Sequence, residues 1–404
     1  MPRIVNMRPV LLSAPYAHAD SLEVRKFLKA GHRTCGLIEI TLEDGTTGLG
    51  EGYVATFAPR VFVEIVKLVD PYLVNKEAFD IGARYRDACS VVEYWSLQGA
   101  ARHVVGAFEI ALVDAKAKML GVPAYSLLGG KRAETLALYG GGGDSLQPEA
   151  MQKEIAMLES MGIDLFKIRV LNRDVGKTLW ALEHAASAGI RVGVDMSQNL
   201  ATPAQTVNDV VRYVETVHAK TSHRIEFLEE ALGPADIESY PLLRSKLNVK
   251  ICGGEIVTTA QELCQRVAAK LYDFVQPDAT VIGGMGDLME VISACRRHGS
   301  RAVVHCWGGA VCMMANYHAA LAGGEQLAEW PMPSFPLREA MMVEPLRIQN
   351  GQMQAPSTAD LGVKLAPEIE KEYAFREDAV YACIGTSEEV PPDSVWEMEA
   401  YETL

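Results

Sequence analysis

The rhythm of apolar and polar positions changes near residue 135. Before it, LIEITLEDG followed by TTGLGEGYV alternates on both sides of Asp44 and Gly45, which predicts an antiparallel hairpin within a small sheet formed by the first 60 residues. Residues 61–120 carry helical spacing. The clearest case is VVGAFEIALVDAKAKMLG, with Gly121 as its stop and Pro123 just beyond. From residue 135 onward, short apolar runs alternate with helical stretches: LALYGGG (136–142), LFKIRV (165–170), IRVGVD (190–195), IEFLEE (225–230), VKICGGE (249–255), YDFVQPD (272–278), AVVHCWG (302–308) and a weaker QLAEW (326–330). Eight such runs, at intervals of roughly 25 to 35 residues, predict repeated βα units and an α/β barrel of the (β/α)8 type or a close variant. An open doubly wound sheet is the competitor, but its glycine fingerprint is missing. After residue 331 the pattern dissolves into Pro-, Met- and Gly-rich sequence, expected to fold back over the first domain or the barrel mouth. The reading is therefore an α+β domain over 1–130, the barrel over 131–330 and a returning segment over 331–404.

Composition narrows the class. A chain of 404 residues, 49% hydrophobic and 22% charged, has room for two or three globular domains. No apolar run approaches the roughly 20 residues that span a bilayer, and MPRIVNMRPVLLSAP is a poor secretion signal, so a soluble cytoplasmic protein with no membrane partner is expected. Eight cysteines without CxxC spacing fit reduced thiols. A formal charge of -14 with no basic block argues against nucleic acid as a partner, because nothing would offset phosphate repulsion. A local cationic site for a small anion remains compatible with it.

Candidate chemistry sits at the strand ends. LFKIRV ends in Lys167 and Arg169, IRVGVD in Asp195, EFLEE in Glu229 and Glu230, ICGGE in Glu255, FVQPD in Asp278, VVHC in His305 and QLAEW in Glu329. One acidic residue after a strand is ordinarily a helix cap or a solvated turn. Seven strand ends that all carry ionisable groups point to the mouth of a barrel, where such folds place their chemistry.

Asp195, Glu229 and Glu255 end three successive strands, and three such carboxylates repel one another unless a cation neutralises them. All-oxygen ligands suit Mg²⁺, with Mn²⁺ as the alternative, and fit zinc poorly. Either Glu229 or Glu230 can face inward at this point. Asp278 and His305 occupy the next two ends, where the carboxylate can fix the imidazole tautomer and make it a general base. Lysine can act as a base when desolvated, whereas arginine keeps its proton, so Lys167 and Arg169 are not equivalent. GxSxG is absent, and GGGG at 140–143 lacks the GK[ST] ending of a phosphate loop. A divalent cation and cationic side chains facing a base suit proton removal beside a carboxylate, so the expected partner is a small-molecule carboxylate substrate.

The ordered set K167-I-R169, D195, E229-E-A, GGE255, QPD278 and H305, preceded by GLGEGY (48–53) and ALVDAKAKMLGVPAYSLLGG (111–130), closely resembles the enolase superfamily, in particular its mandelate racemase-like branch, over roughly residues 30–330. The resemblance implies an α+β capping domain, built from the N-terminal region and the C-terminal tail, over a modified (β/α)7β TIM barrel. It implies Asp195, Glu229 and Glu255 as Mg²⁺ ligands, which selects Glu229 from the doublet. Asp278 and His305 would be the catalytic dyad, and Glu329 would hydrogen-bond the substrate carboxylate. LFKIRV resembles a Lys-x-Lys element whose first lysine supports the substrate carboxylate and whose second is the usual base.

Here the second lysine is Arg169, the usual Asp-x-Asn is Asp195-Met-Ser197, and Glu-Glu-Pro is Glu229-Glu230-Ala231. Unless Lys167 reaches it, the second face then lacks a proton carrier, and dehydration of an aldonic or aldaric acid, or of a hydroxy diacid such as tartrate, is the expected reaction. A racemase or epimerase, a sugar-lactone cycloisomerase and a nonenzymatic binding protein on the same fold are the alternatives. Loops near 14–20 and 52–60 would shape specificity. Tyr16, His18, Tyr53, Phe57 and Arg60 are candidate substrate contacts, with Tyr94 and Trp95 further along and Trp307 and Trp330 at the mouth. Such barrels often pair, so a homo-oligomer is expected.

Overall fold

A computed structural model describes residues 2–17, 27–145 and 147–382. Strands β1 (Ile4–Pro15), β2 (His32–Leu42) and β3 (Thr47–Glu51) form an antiparallel sheet in the order β1-β2-β3. The predicted hairpin joins β2 to β3: Gly45 takes φ 85°, and the Asp44 carboxylate accepts from the Thr46 N–H at 3.0 Å.

Helices Pro59–Leu73, Ile81–Ser96 and Ala100–Leu120 cover this sheet. The last of them is apolar nearly all round and accordingly buried nearly all round. One side lies so close to β3 that a Cβ at Gly50 would stand 1.6 Å from the Ala107 carbonyl oxygen, and one at Gly48 2.0 Å from that of Ala111. The glycines of GLGEG are thus demanded by backbone approach. The other side meets the second half of the chain, where a Cβ at Gly106 would lie 2.9 Å from the Gly284 nitrogen.

Eight parallel strands follow: β4 (Thr135–Gly142), β5 (Leu165–Arg169), β6 (Arg191–Asp195), β7 (Ile225–Glu229), β8 (Lys250–Gly253), β9 (Phe274–Val275), β10 (Arg301–Ala302) and β11 (Leu327–Pro331). Each of β4 to β9 pairs with the next, β11 returns to β4, and a Val304–Ala328 bridge closes the ring. Every connection between successive strands carries helix, which gives the (β/α)7β barrel. Tyr139, Leu165, Phe227, Cys252 and Val303 fill the lumen as one apolar layer. Two residues further along several of these strands, the same inward parity carries polar side chains.

The later strands end earlier than their apolar runs suggest: β8 stops at Gly253, β9 at Val275 and β10 at Ala302. Pro277 has no N–H to continue a ladder. Single bonds take over, from the Val303 N–H to Val275 O (2.8 Å), His305 N–H to Pro277 O (3.1 Å) and Glu329 N–H to Val304 O (3.2 Å). His305 is therefore held in the barrel wall although it lies beyond the strand.

In the tail, β12 (Ile348–Gln349) and β13 (Gln352–Gln354) form a hairpin, and β13 pairs antiparallel with the start of β4. Helix Pro367–Glu372 then leads the chain along the capping sheet. The Ser13 N–H donates to Tyr373 O (2.9 Å), Arg8 pairs with Glu370 (2.8 Å), and the Tyr381 N–H donates to Thr56 O (3.0 Å). Among the described residues no helix is long and apolar enough to cross a membrane, and the seven described cysteines are free.

Candidate active site

Parity along the strands places the polar layer. Lys167 and Arg169 share the lumen side of β5 with Leu165, Asp195 shares that of β6 with Gly193, and Glu229 shares that of β7 with Phe227. Asp195 and Glu229 are partners in adjacent strands. Glu230 points the other way, at φ 41°, and its carboxylate accepts from the Gly254 N–H at 2.7 Å behind the wall. The doublet is thus resolved by Phe227: its ring fills the lumen, so Glu229 must follow it inward.

Lys167 is buried between two carboxylates, in contact with Glu229 and 2.7 Å from Glu329 Oε1. Burial lowers its pKa, but Glu229 and Glu329 outweigh that and hold it well above the ordinary lysine value. Arg169 lies 3.0 Å from Asp144 and 3.3 Å from Asp195, with its guanidinium 4.8 Å from the centre of the Trp307 ring. Burial, together with repulsion from Asp195 and Glu329, pushes the Glu229 carboxyl upward even beside Lys167. This mouth is short of positive charge.

On the opposite wall, His305 Nδ1 and Asp278 Oδ2 are 2.8 Å apart. The other Asp278 oxygen accepts from the Thr280 N–H (2.8 Å), the Thr280 hydroxyl (2.7 Å) and Asn316 Nδ2 (2.9 Å). Burial alone would raise Asp278, but the His305 bond and charge, with Asn316 and Thr280, keep it below its ordinary value. Burial would lower His305, yet Glu255 and the Asp278 bond bring it up to about 9. His305 Nε2 faces the mouth, 3.6 Å from Glu255 and 3.9 Å from Glu329.

Asp195, Glu229 and Glu255 thus reach one mouth, and their all-oxygen donor set fits a hard divalent cation. They do not close on one point. Among the described residues no three His, Cys, Asp or Glu side chains form a metal-sized cluster. Each carboxylate instead turns to the nearest donor: Asp195 to Arg169 and the Ser197 N–H (2.7 Å), Glu229 to Lys167 and Gln276, and Glu255 to Asn199 Nδ2 (2.7 Å).

The expected substrate contacts divide. Tyr53 has its ring 6.0 Å from that of His305 and also meets Phe57 (5.5 Å), Tyr16 is buried against Arg33 and Phe335, and Trp307 carries Arg169. Trp330 follows the opposite parity to Glu329, so it packs outside the lumen. Arg60 is exposed and held by Glu377. Tyr94 has its side chain wholly solvent-exposed on the outer helix Ile81–Ser96. On the same helix the exposed Trp95 indole donates to Val91 O at 3.0 Å. Helical spacing, invisible in a residue-type argument, turned both outward. His18 lies outside the described residues.

Sequence reasoning passed over Asp144, Gln276, Asn316, Arg33 and Glu51. Gln276 stands two residues before Asp278 with matching parity, and Glu51 lies inside GLGEGY, so both had a signal. Asn316 sits in an apolar helical run and had none.

An eight-stranded barrel capped by an α+β sheet, with a carboxylate–histidine pair facing a carboxylate-clamped lysine, defines the class. Residues 27–129 match the mandelate racemase/muconate lactonizing enzyme N-terminal domain and residues 150–369 the enolase C-terminal domain-like family, so the chain belongs to that branch of the enolase superfamily of enzymes, whose mechanism depends on a divalent metal. It is 24% identical over 348 residues to D-galactarolactone cycloisomerase from Agrobacterium fabrum, covering 81% of this chain and 88% of that protein. It is also 24% identical over 346 residues to arabinonate dehydratase from Saccharolobus solfataricus, covering 83% and 89%. The crystal structure of 3,6-anhydro-D-galactonate cycloisomerase from Zobellia galactanivorans shares the fold with a TM-score of 0.79 at 22% identity, covering 93% of this chain and 100% of that one.

Proposed function

We propose that the protein is a Mg²⁺-dependent dehydratase of an acid sugar or hydroxy diacid, of the aldonate, aldarate or tartrate type. The observation that carries this reading is the asymmetry of the mouth. One wall holds the Asp278–His305 pair at 2.8 Å with Nε2 turned to the mouth, while the other presents Arg169 fixed between Asp144 and Asp195. His305 Nε2 takes the proton α to the substrate carboxylate, and Asp278 holds Nδ1 and the charge that appears on the ring. Lys167 and Glu329 position the substrate carboxylate beside the proton being lost. The imidazolium then returns its proton to the departing β hydroxyl, and the resulting enol tautomerises to a 2-keto acid. One proton carrier suffices for this, whereas racemisation needs one on each face.

Asp195, Glu229 and Glu255 would hold the ion. When bound, Mg²⁺ supplies positive charge against these carboxylates, whose field raises His305, and against the charge that grows on the substrate carboxylate. The ligand roles are tested by Asp195→Asn and Glu255→Gln: each should weaken Mn²⁺ binding, read by electron paramagnetic resonance, and unchanged affinity in both would remove them from the site.

The reaction is tested by screening acid sugars with Mg²⁺ and detecting 2-keto products with semicarbazide. A keto product supports dehydration. Recovery of inverted substrate, with solvent deuterium at the α carbon, would replace it with an epimerase. The relationship to a galactarolactone cycloisomerase favours one second reading, a sugar-lactone cycloisomerase using the same dyad. It predicts lactone consumption without any keto product from the acids.

A further inference from the structure

Arg33 opens the inner end of β2 and is 1% exposed, although a guanidinium keeps its charge in any protein site. Its Nη1 donates to the Trp307 carbonyl oxygen, while Nη2 is buried with no hydrogen-bond partner among the described residues. Among the described residues it makes no ion pair. Glu51, the carboxylate whose charge it feels, has both oxygens committed, to the Gly309 N–H at 2.7 Å and the Cys312 N–H at 2.9 Å.

Three ring faces surround the guanidinium: Tyr16 at 5.5 Å, Tyr53 at 5.6 Å and Phe335 at 5.5 Å. Ring faces offset part of the cost of stripping this charge of water, but they bring no anionic oxygen to Nη2. The Tyr16 hydroxyl in the same box is also buried, with no partner among the described residues. The box adjoins both walls of the mouth. Tyr53 lies against His305 (6.0 Å), and Trp307, whose carbonyl Arg33 holds, carries Arg169 (4.8 Å).

We infer that Arg33 Nη2 and the Tyr16 hydroxyl form the distal subsite of the mouth and take the second carboxylate of a dicarboxylic acid substrate. The inference rests on the dehydratase reading and narrows it to diacids. A carboxylate accepts hydrogen bonds from both donors and neutralises the buried cation, whereas the terminal hydroxyl of a monoacid brings no charge and leaves the cation uncompensated.

The test compares six-carbon aldaric acids with aldonic acids of the same configuration, using the Mg²⁺-loaded full-length enzyme. Wild type should favour the diacid about 100-fold in kcat/KM. Arg33→Met should erase that preference, Arg33→Lys should keep part of it, and Tyr16→Phe, which preserves the ring, should raise KM for the diacid about 10-fold. Equal or better turnover of the monoacid, with a ratio unmoved by Tyr16→Phe and Arg33→Lys, would overturn the subsite and leave the dehydratase reading standing. If neither acid is turned over, the dehydratase reading fails, and calorimetric titration of the same aldaric acid judges the subsite alone. Binding weakened at least 10-fold in Tyr16→Phe and Arg33→Lys supports it, and equal affinity in wild type and both variants overturns it.

Discussion

The two walls of the mouth are built on different principles. On the His305 wall, one carboxylate of the pair is immobilised by neutral donors, the Thr280 N–H and hydroxyl and the Asn316 amide, so its charge is left for the imidazole alone. On the opposite wall, charge meets charge: Lys167 lies between Glu229 and Glu329, and Arg169 between Asp144 and Asp195. A group oriented by neutral dipoles can gain and lose a proton without dismantling its surroundings. A cation clamped between two anions is held in its charged form. On the proposed reading, the difference gives proton transfer to one wall and electrostatic positioning to the other.

The sharpest way to break that contrast is His305→Asn, which should lower kcat by roughly 10²- to 10⁴-fold while Mn²⁺ affinity stays within a factor of about two. Robust turnover in the variant would remove His305 as the base. Next in size, Lys167→Met leaves Glu229 and Glu329 without their cation, so about 3–5 kcal/mol of stability should be lost along with measurable turnover. Chemical denaturation reads the first effect and the keto-acid assay the second.

Asn316→Ala takes one donor from Asp278 and should lower kcat roughly tenfold with KM little changed, shifting the acidic limb of the pH–rate profile, which the general base sets. A purely structural Asn316 would lower yield without moving that limb. Arg169→Lys is the mildest change to activity. Dehydration should persist within about tenfold, and slow exchange of the α proton on the second face should become detectable by NMR in D2O. Its absence would mean that the arginine wall excludes proton transfer by geometry rather than by charge.

The His305 wall also rests on the capping domain. Buried Glu109 accepts from the N–H groups of Met285 (2.9 Å) and Gly286 (3.2 Å), at the start of helix Met285–His298. Burial raises its pKa from 4.5 to about 7. A carboxyl raised in the folded state binds its proton more tightly there than in the unfolded chain. Its stabilisation is complete below about pH 4.5 and is lost as pH rises through about 7. Glu109→Gln should flatten the dependence of unfolding midpoint on pH across this window, and an unchanged slope would show that Glu109 is ionised throughout.

Much of the fold was legible. The switch from helical to repeated strand–helix rhythm placed the barrel, and the runs ending in Lys167, Asp195 and Glu229 stop where β5, β6 and β7 run into the mouth. Less legible were positions whose role depends on a distant partner. Tyr94 and Arg60 have residue types suited to binding, but helix phase and Glu377 turn them to solvent. Arg33 and Asn316 have no local signature, because what distinguishes them is the group they meet from elsewhere in the chain.

By itself, then, the sequence determined periodicity, and with it the alternation of strands and helices and the ionisable residues at the strand ends, since alternation is a local property of the backbone. Only the tertiary structure decided which of Glu229 and Glu230 enters the lumen, which cation is clamped by which carboxylate, and where a buried guanidinium is left without an anion. Those outcomes depend on burial and on contacts between residues far apart in the chain. A one-dimensional pattern carries neither.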